Sequence, residues 1–102
     1  KSAESNRMLG LALQQQGQLD MAFEKFRQCP RDESVLDVMY NLALDYERKR
    51  QFNKAISVYQ YISDFAPEFR DLKDKLARAK KLEETVILGG SSSSANNEYQ
   101  VK

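Results

Sequence analysis

The chain predicts an all-α fold of stacked helical hairpins, two pairs and a closing helix, five helices in all, and three observations carry that expectation. First, Leu9, Gly10, Gly17, Ala22, Phe26 and Cys29 recur as Leu42, Ala43, Arg50, Ala55, Tyr59 and Ile62 at a constant offset of 33 residues. Self-similarity at such a period marks a supersecondary unit that must stack on its neighbours to bury its apolar side. Second, apolar residues follow helical spacing through each segment, most fully at Val35, Val38, Met39, Leu42, Ala43 and Tyr46. Third, Gly17, Pro30 and Pro67 fall between these segments, where a helix should stop.

Taken in order, residues 5–16 read as the first helix, with Ser5 as N-cap, Met8, Leu9, Ala12 and Leu13 as the inward stripe, and Gly17 as the stop. Residues 19–29 form its partner, burying Leu19, Ala22, Phe23, Phe26 and Cys29 ahead of Pro30. Small Gly10 and Ala22 allow the two backbones to approach closely, and Phe26 fills the space beside them. A third helix spans 34–48, and beside its main stripe runs a second apolar row, Leu36, Tyr40 and Leu44. A surface helix needs one stripe only, so this row is either sandwiched between neighbours or offered to a ligand. Residues 52–65 follow, with Phe52, Ala55, Ile56, Tyr59 and Ile62 inward, and Pro67 is placed to pre-set the next helix. The last helix, 69–84, has a narrow stripe of Phe69, Leu72, Leu76 and Ala79, with Asp71/Lys75 and Asp74/Arg78 spaced as i,i+4 pairs. That is the composition of a cap, closing the core on one side and facing water on the other.

The small residues at Gly10/Ala43 and Ala22/Ala55, the aromatics at Tyr46, Phe26 and Tyr59 and the closing Pro67 resemble the tetratricopeptide-repeat (TPR) family. The resemblance implies a TPR-type solenoid over 5–84, with repeats at about 5–33 and 34–67 and a capping helix at 68–84. It further implies that the leading helix of each pair lines a concave surface that binds a protein or peptide. Projected onto this chain, the groove would comprise Arg7, Leu11, Gln14 and Gln15, then Tyr40, Leu44, Glu47 and Arg48, then Asp74 and Arg78 of the cap. Tyr40 and Leu44 would be its apolar anchors. The carboxylate clamp of chaperone-binding members is only partly matched: Arg7, Asn41 and Lys75 fit, whereas Leu11 replaces an amide and Asp71 a cation. The wording NRMLGLALQQQGQLDMAFEKFRQCP, YNLALDYERKRQFNKAISVY and ETVILGG is also similar to the repeat segment of bacterial eukaryotic-like serine/threonine kinases. That likeness implies a regulatory or docking role beside a kinase domain.

Composition bounds the rest. A chain of 102 residues forms one domain that buries roughly 60% of the surface its unfolded form exposes. With charged residues at 30% and a net charge of +1, there is no overall electrostatic footprint for nucleic acid or acidic lipid. The clusters Arg48-Lys49-Arg50 and Arg70 to Lys81 read as solvated, acid-interleaved helix faces, and no nucleic-acid partner is expected. No histidine is present, which removes the commonest base and metal ligand, and Gly89-Gly90 lacks the Lys-Ser/Thr of a phosphate loop. Neither catalytic activity in this segment nor a cofactor or metal is expected. The single cysteine, Cys29, reads as a buried structural thiol in a reducing, cytoplasmic setting, or in the cytoplasmic part of a membrane-anchored protein. No apolar run is long enough for membrane insertion. Residues 85–102, with Gly89-Gly90 and the serine run, read as a flexible linker toward a further domain. Thr85, at that junction, is a candidate phosphorylation site, with packing of Val86 and Leu88 on the stack as the alternative. A stand-alone adaptor and a weakly self-associating module are the rival functions.

Overall fold

The helical spacing closes into five helices. A computed structural model describes the backbone of residues 3–89 and the side-chain surroundings of residues 4–85. The elements are α1 (Ala3–Gln15), α2 (Leu19–Arg27), α3 (Glu33–Arg48), α4 (Phe52–Phe65) and α5 (Leu72–Gly89), with no strand among the described residues. Each helix packs on the next, except that α5 packs on α4 after a longer turn, and α1 also touches α3.

The two tight connections are copies of each other. After α1, Gln18 N donates to Leu13 O (2.9 Å) and Gly17 N to Gln14 O (3.0 Å); after α3, Gln51 N donates to Tyr46 O (2.9 Å) and Arg50 N to Glu47 O (2.9 Å). This paired pattern satisfies the last carbonyls of a helix and requires a left-handed residue just beyond it. Gly17 supplies it at φ 82° and Arg50 at φ 61°. A glycine adopts that conformation freely, whereas a side chain resists it by about 1 kcal/mol. Lys49 then ties the two connections together by donating from Nζ to Gly17 O (3.1 Å).

The core centres on α3, whose Val35, Leu36, Met39, Tyr40, Leu42, Ala43 and Tyr46 are all buried. Around it lie Leu19, Ala22 and Phe26 of α2, Ala55, Val58, Tyr59 and Ile62 of α4, and Leu72 and Ala79 of α5. The close approach expected at Gly10 is present: a Cβ there would lie 2.5 Å from Phe26 Cε1, deep inside any allowed contact. Cys29 is buried as expected, its Sγ 3.5 Å from Lys25 O, and burial pushes its thiol pKa up.

Several boundaries differ from the sequence reading. Ser5 lies inside α1, which begins at Ala3, and α2 ends at Arg27 because the residue before Pro30 is driven out of helical conformation. The N-cap of α3 is Asp32, whose carboxylate accepts from Val35 N at 3.0 Å. Pro67 does not open α5; a turn occupies residues 66–71 and the helix starts at Leu72. At its far end α5 runs to Gly89, so Thr85 to Gly89, read as the start of a linker, are helical; residues 90–102 of that linker lie outside the described residues. The inward stripe expected for α1 holds only at Leu13, which packs on the core; Met8 and Leu9 are 59% and 46% exposed, because among the described residues no helix covers that side of α1.

Candidate binding groove

Where α1 and α3 come together, Leu11, Gln14 and Gln15 face Val38, Asn41 and Asp45 across a shallow recess of about 190 Å³. Gln14 Nε2 donates to Asp45 Oδ2 (2.8 Å), and Arg48 bonds the other oxygen of the same carboxylate. The floor is apolar, Leu11 and Val38, and the walls carry amides and a carboxylate. Such a lining suits an extended peptide: amides can engage its backbone while the floor takes a small apolar side chain.

Three nominated residues, Leu11, Gln14 and Gln15, thus share one recess, and Arg48 joins them through Asp45. Arg7 does not. It pairs with Glu4 (3.0 Å) and lines a second recess of about 200 Å³ beside Cys29, Pro30 and Asp32. Tyr40, expected as the main anchor, is sealed at 7% exposure, and this is a correction. The turn of residues 66–71 folds back over it: its ring meets those of Tyr59 and Phe69, Arg70 stacks on it 5.2 Å from the centroid, and its hydroxyl donates to Asp71. Arg70, at φ 47°, is held there by Asp37. Burial, followed by the Asp71 carboxylate, raises the Tyr40 pKa to about 12, and the same hydrogen bond holds Asp71 below the ordinary carboxylate range. The row Leu36, Tyr40, Leu44 is therefore sandwiched at its first two members, and Leu44 is half-buried against the core.

Glu47 is likewise a structural link. It accepts from Tyr59 Oη (2.6 Å) and from Arg78, which leaves its side chain 8% exposed. Arg78 is thereby engaged with α3 rather than with Asp74, which stays exposed. Thr85 is exposed, with its hydroxyl donating to Lys81 O (3.1 Å) one turn back along α5. The surroundings of the Val86 and Leu88 side chains, to which the packing alternative appealed, lie outside the described residues.

Val38, Asn41 and Asp45 complete the recess without having been nominated to the groove. Val38 belongs to the expected core stripe, and Asn41 is matched only through the chaperone clamp. Their i, i+3, i+7 spacing was the available signal, since it puts all three on the α3 face nearest α1.

Gln14 Oε1 is buried and makes no hydrogen bond. Offset by 33 residues, Gln14 corresponds to Glu47 and Phe26 to Tyr59, so the missing donor is the hydroxyl that Phe26 lacks. Among the described residues no three His, Cys, Asp or Glu gather as a metal site, and no helix is long and apolar enough to cross a membrane. Comparison of the chain with protein-family models, curated proteins and solved structures finds no match.

Proposed function

We propose that the chain is a non-catalytic protein-interaction module of TPR type, whose leading helices α1 and α3 receive a partner peptide in the recess between Leu11, Gln14, Gln15, Asn41 and Asp45. The observation that carries this reading is the 33-residue recurrence of the connection after the leading helix, down to its individual backbone hydrogen bonds. Leading helices that repeat in this way stand side by side, and their shared face is where the recess lies. The test is to substitute Leu11→Asp and, separately, Asn41→Ala, and to measure partner capture from lysate alongside helical circular dichroism. Capture should fall sharply with helicity retained; unchanged capture by a folded Leu11→Asp chain removes the recess from the binding surface.

A docking or regulatory role beside a bacterial serine/threonine kinase domain, on the cytoplasmic side, is supported by the wording of the two repeats alone. It requires a glycine-rich loop and its lysine in the same reading frame. Self-association is the second reading, favoured by one observation: Met8, Leu9 and Met21, all on the first hairpin, are each exposed. Sedimentation at several concentrations should then show a dimer that Leu9→Glu abolishes, and a strict monomer eliminates it.

A further inference from the structure

Along α2, the connection that follows it and α4, three aromatic rings and two guanidinium groups form a row. Arg27 stands 5.5 Å from the Phe23 ring centroid, Phe23 meets Tyr61 edge-on at 5.7 Å, and Arg31 lies 4.2 Å above Tyr61 and 5.5 Å from Phe65. Beside this row runs a groove of about 400 Å³ walled by Phe23, Ile56 and Tyr61, with Arg27 and Asp64 also lining it. Phe65, at the end of the row, is 57% exposed.

The charges along the groove are unequal. Arg27 is neutralised by Glu24 at 3.0 Å, and Asp64 accepts only a weak bond from Gln60 at 3.4 Å. Among the described residues Arg31 has neither a carboxylate within ion-pairing distance nor a hydrogen-bond acceptor, and its planar group is oriented by two rings. A guanidinium held in that way is pre-organised for bidentate binding of a carboxylate. A nucleic-acid strand presents a phosphate at each nucleotide and needs several free cations. Among the described residues bordering the groove, Arg31 is the one arginine without an ion pair, so the site suits a single carboxylate rather than a run of phosphates.

We propose that this groove docks an acidic peptide: a Glu or Asp side chain is held by Arg31 while an adjacent apolar side chain lies between Phe23, Ile56 and Tyr61. The surface belongs to α2 and α4, so it is independent of the recess between α1 and α3. The experiment is a nuclear magnetic resonance titration of the ¹⁵N-labelled 102-residue chain with the blocked peptide Ac-Leu-Leu-Glu-Leu-Leu-NH2. Its counterparts carry lysine in place of glutamate or glycine in place of leucine, and a ten-residue oligo-dT is added as a further probe. Saturable shifts at Phe23, Arg31, Tyr61 and Phe65 are expected with the acidic peptide, and at least about tenfold weaker binding of the lysine and glycine versions, a gap of about 1.4 kcal/mol each. Arg31→Gln should weaken the acidic peptide by a similar factor with the circular dichroism unchanged. Arg31→Glu should invert the preference toward lysine. Equal binding of acidic and basic peptides, shifts confined to Leu11 and Gln14, tighter binding of oligo-dT, or no saturable shift at about 1 mM peptide would each overturn the proposal.

Discussion

The first hairpin, α1 with α2, and the second, α3 with α4, share their connections and their register but differ in what surrounds them. Leu42 is fully buried, whereas its counterpart Leu9 is 46% exposed. Phe26 packs against bare Gly10, whereas its counterpart Tyr59 sends a hydroxyl to Glu47. Tyr46 likewise reaches back to Asp20 of α2 (2.6 Å) and Tyr40 forward to Asp71, so the second hairpin sends tyrosine hydroxyls to carboxylates on either side, whereas the first hairpin has no tyrosine of its own. The same repeat pattern therefore yields a fully enclosed middle and a half-covered end. Position in the stack, more than local sequence, sets how much each residue contributes.

The sharpest way to break the comparison is to truncate both equivalent leucines. Leu42→Ala should destabilise by about 2–5 kcal/mol, and Leu9→Ala by no more than about 0.5 kcal/mol, as read from urea unfolding midpoints. Equal effects would show that the two hairpins are not energetically distinct. Next, Phe26→Tyr offers Gln14 Oε1 the donor that Glu47 already has, and should stabilise by about 0.5–1.5 kcal/mol. A loss of stability would mean that the first hairpin holds its ring at a different angle.

Smaller still is the difference between the two connections. Arg50→Gly relieves a left-handed side chain and should raise stability by about 0.5–1 kcal/mol, less whatever the contact of Arg50 with the Phe52 ring at 5.5 Å provides. Gly17→Ala should act in the opposite sense in the same thermal melt.

The least effect is expected from pH, and its sign follows from the second hairpin's bonds. Lys54, then Tyr46, holds the Asp20 pKa below its ordinary 3.8, so that contribution is complete above 3.8 and is lost as pH falls through the lower folded value. The tyrosine side runs oppositely. Burial, then the carboxylate partner, raises Tyr40 from 10 to about 12 and also raises Tyr46 and Tyr59, so their contribution is complete below pH 10 and is lost as pH rises beyond it. Asp20→Asn should blunt the acid limb and Tyr59→Phe the alkaline limb of a stability–pH curve. If neither limb moves, these bonds carry no linkage.

Much of the architecture could be read from residue spacing. The bounds of α4, the Gly10–Phe26 approach and the buried Cys29 follow from periodicity and side-chain size alone. The errors have a common origin. An apolar stripe reports that a helix has a face to bury but not whether a neighbour is present, so Met8 and Leu9 were placed inward although nothing covers them. Tyr40 was misplaced because the turn over it depends on Arg70, a residue that gives no local sign of a left-handed backbone. Asp45 and Glu47 are carboxylates two residues apart on one helix, and nothing in their spacing tells them apart. One became a wall of the recess and the other a nearly closed link between α3, α4 and α5, a distinction only tertiary packing could make.

The hydrogen bond from Lys49 to Gly17 O fastens one helix-reversing corner to the next. Because the ammonium sits on a flexible stem, this tie sets the separation of the two corners more firmly than the angle between them.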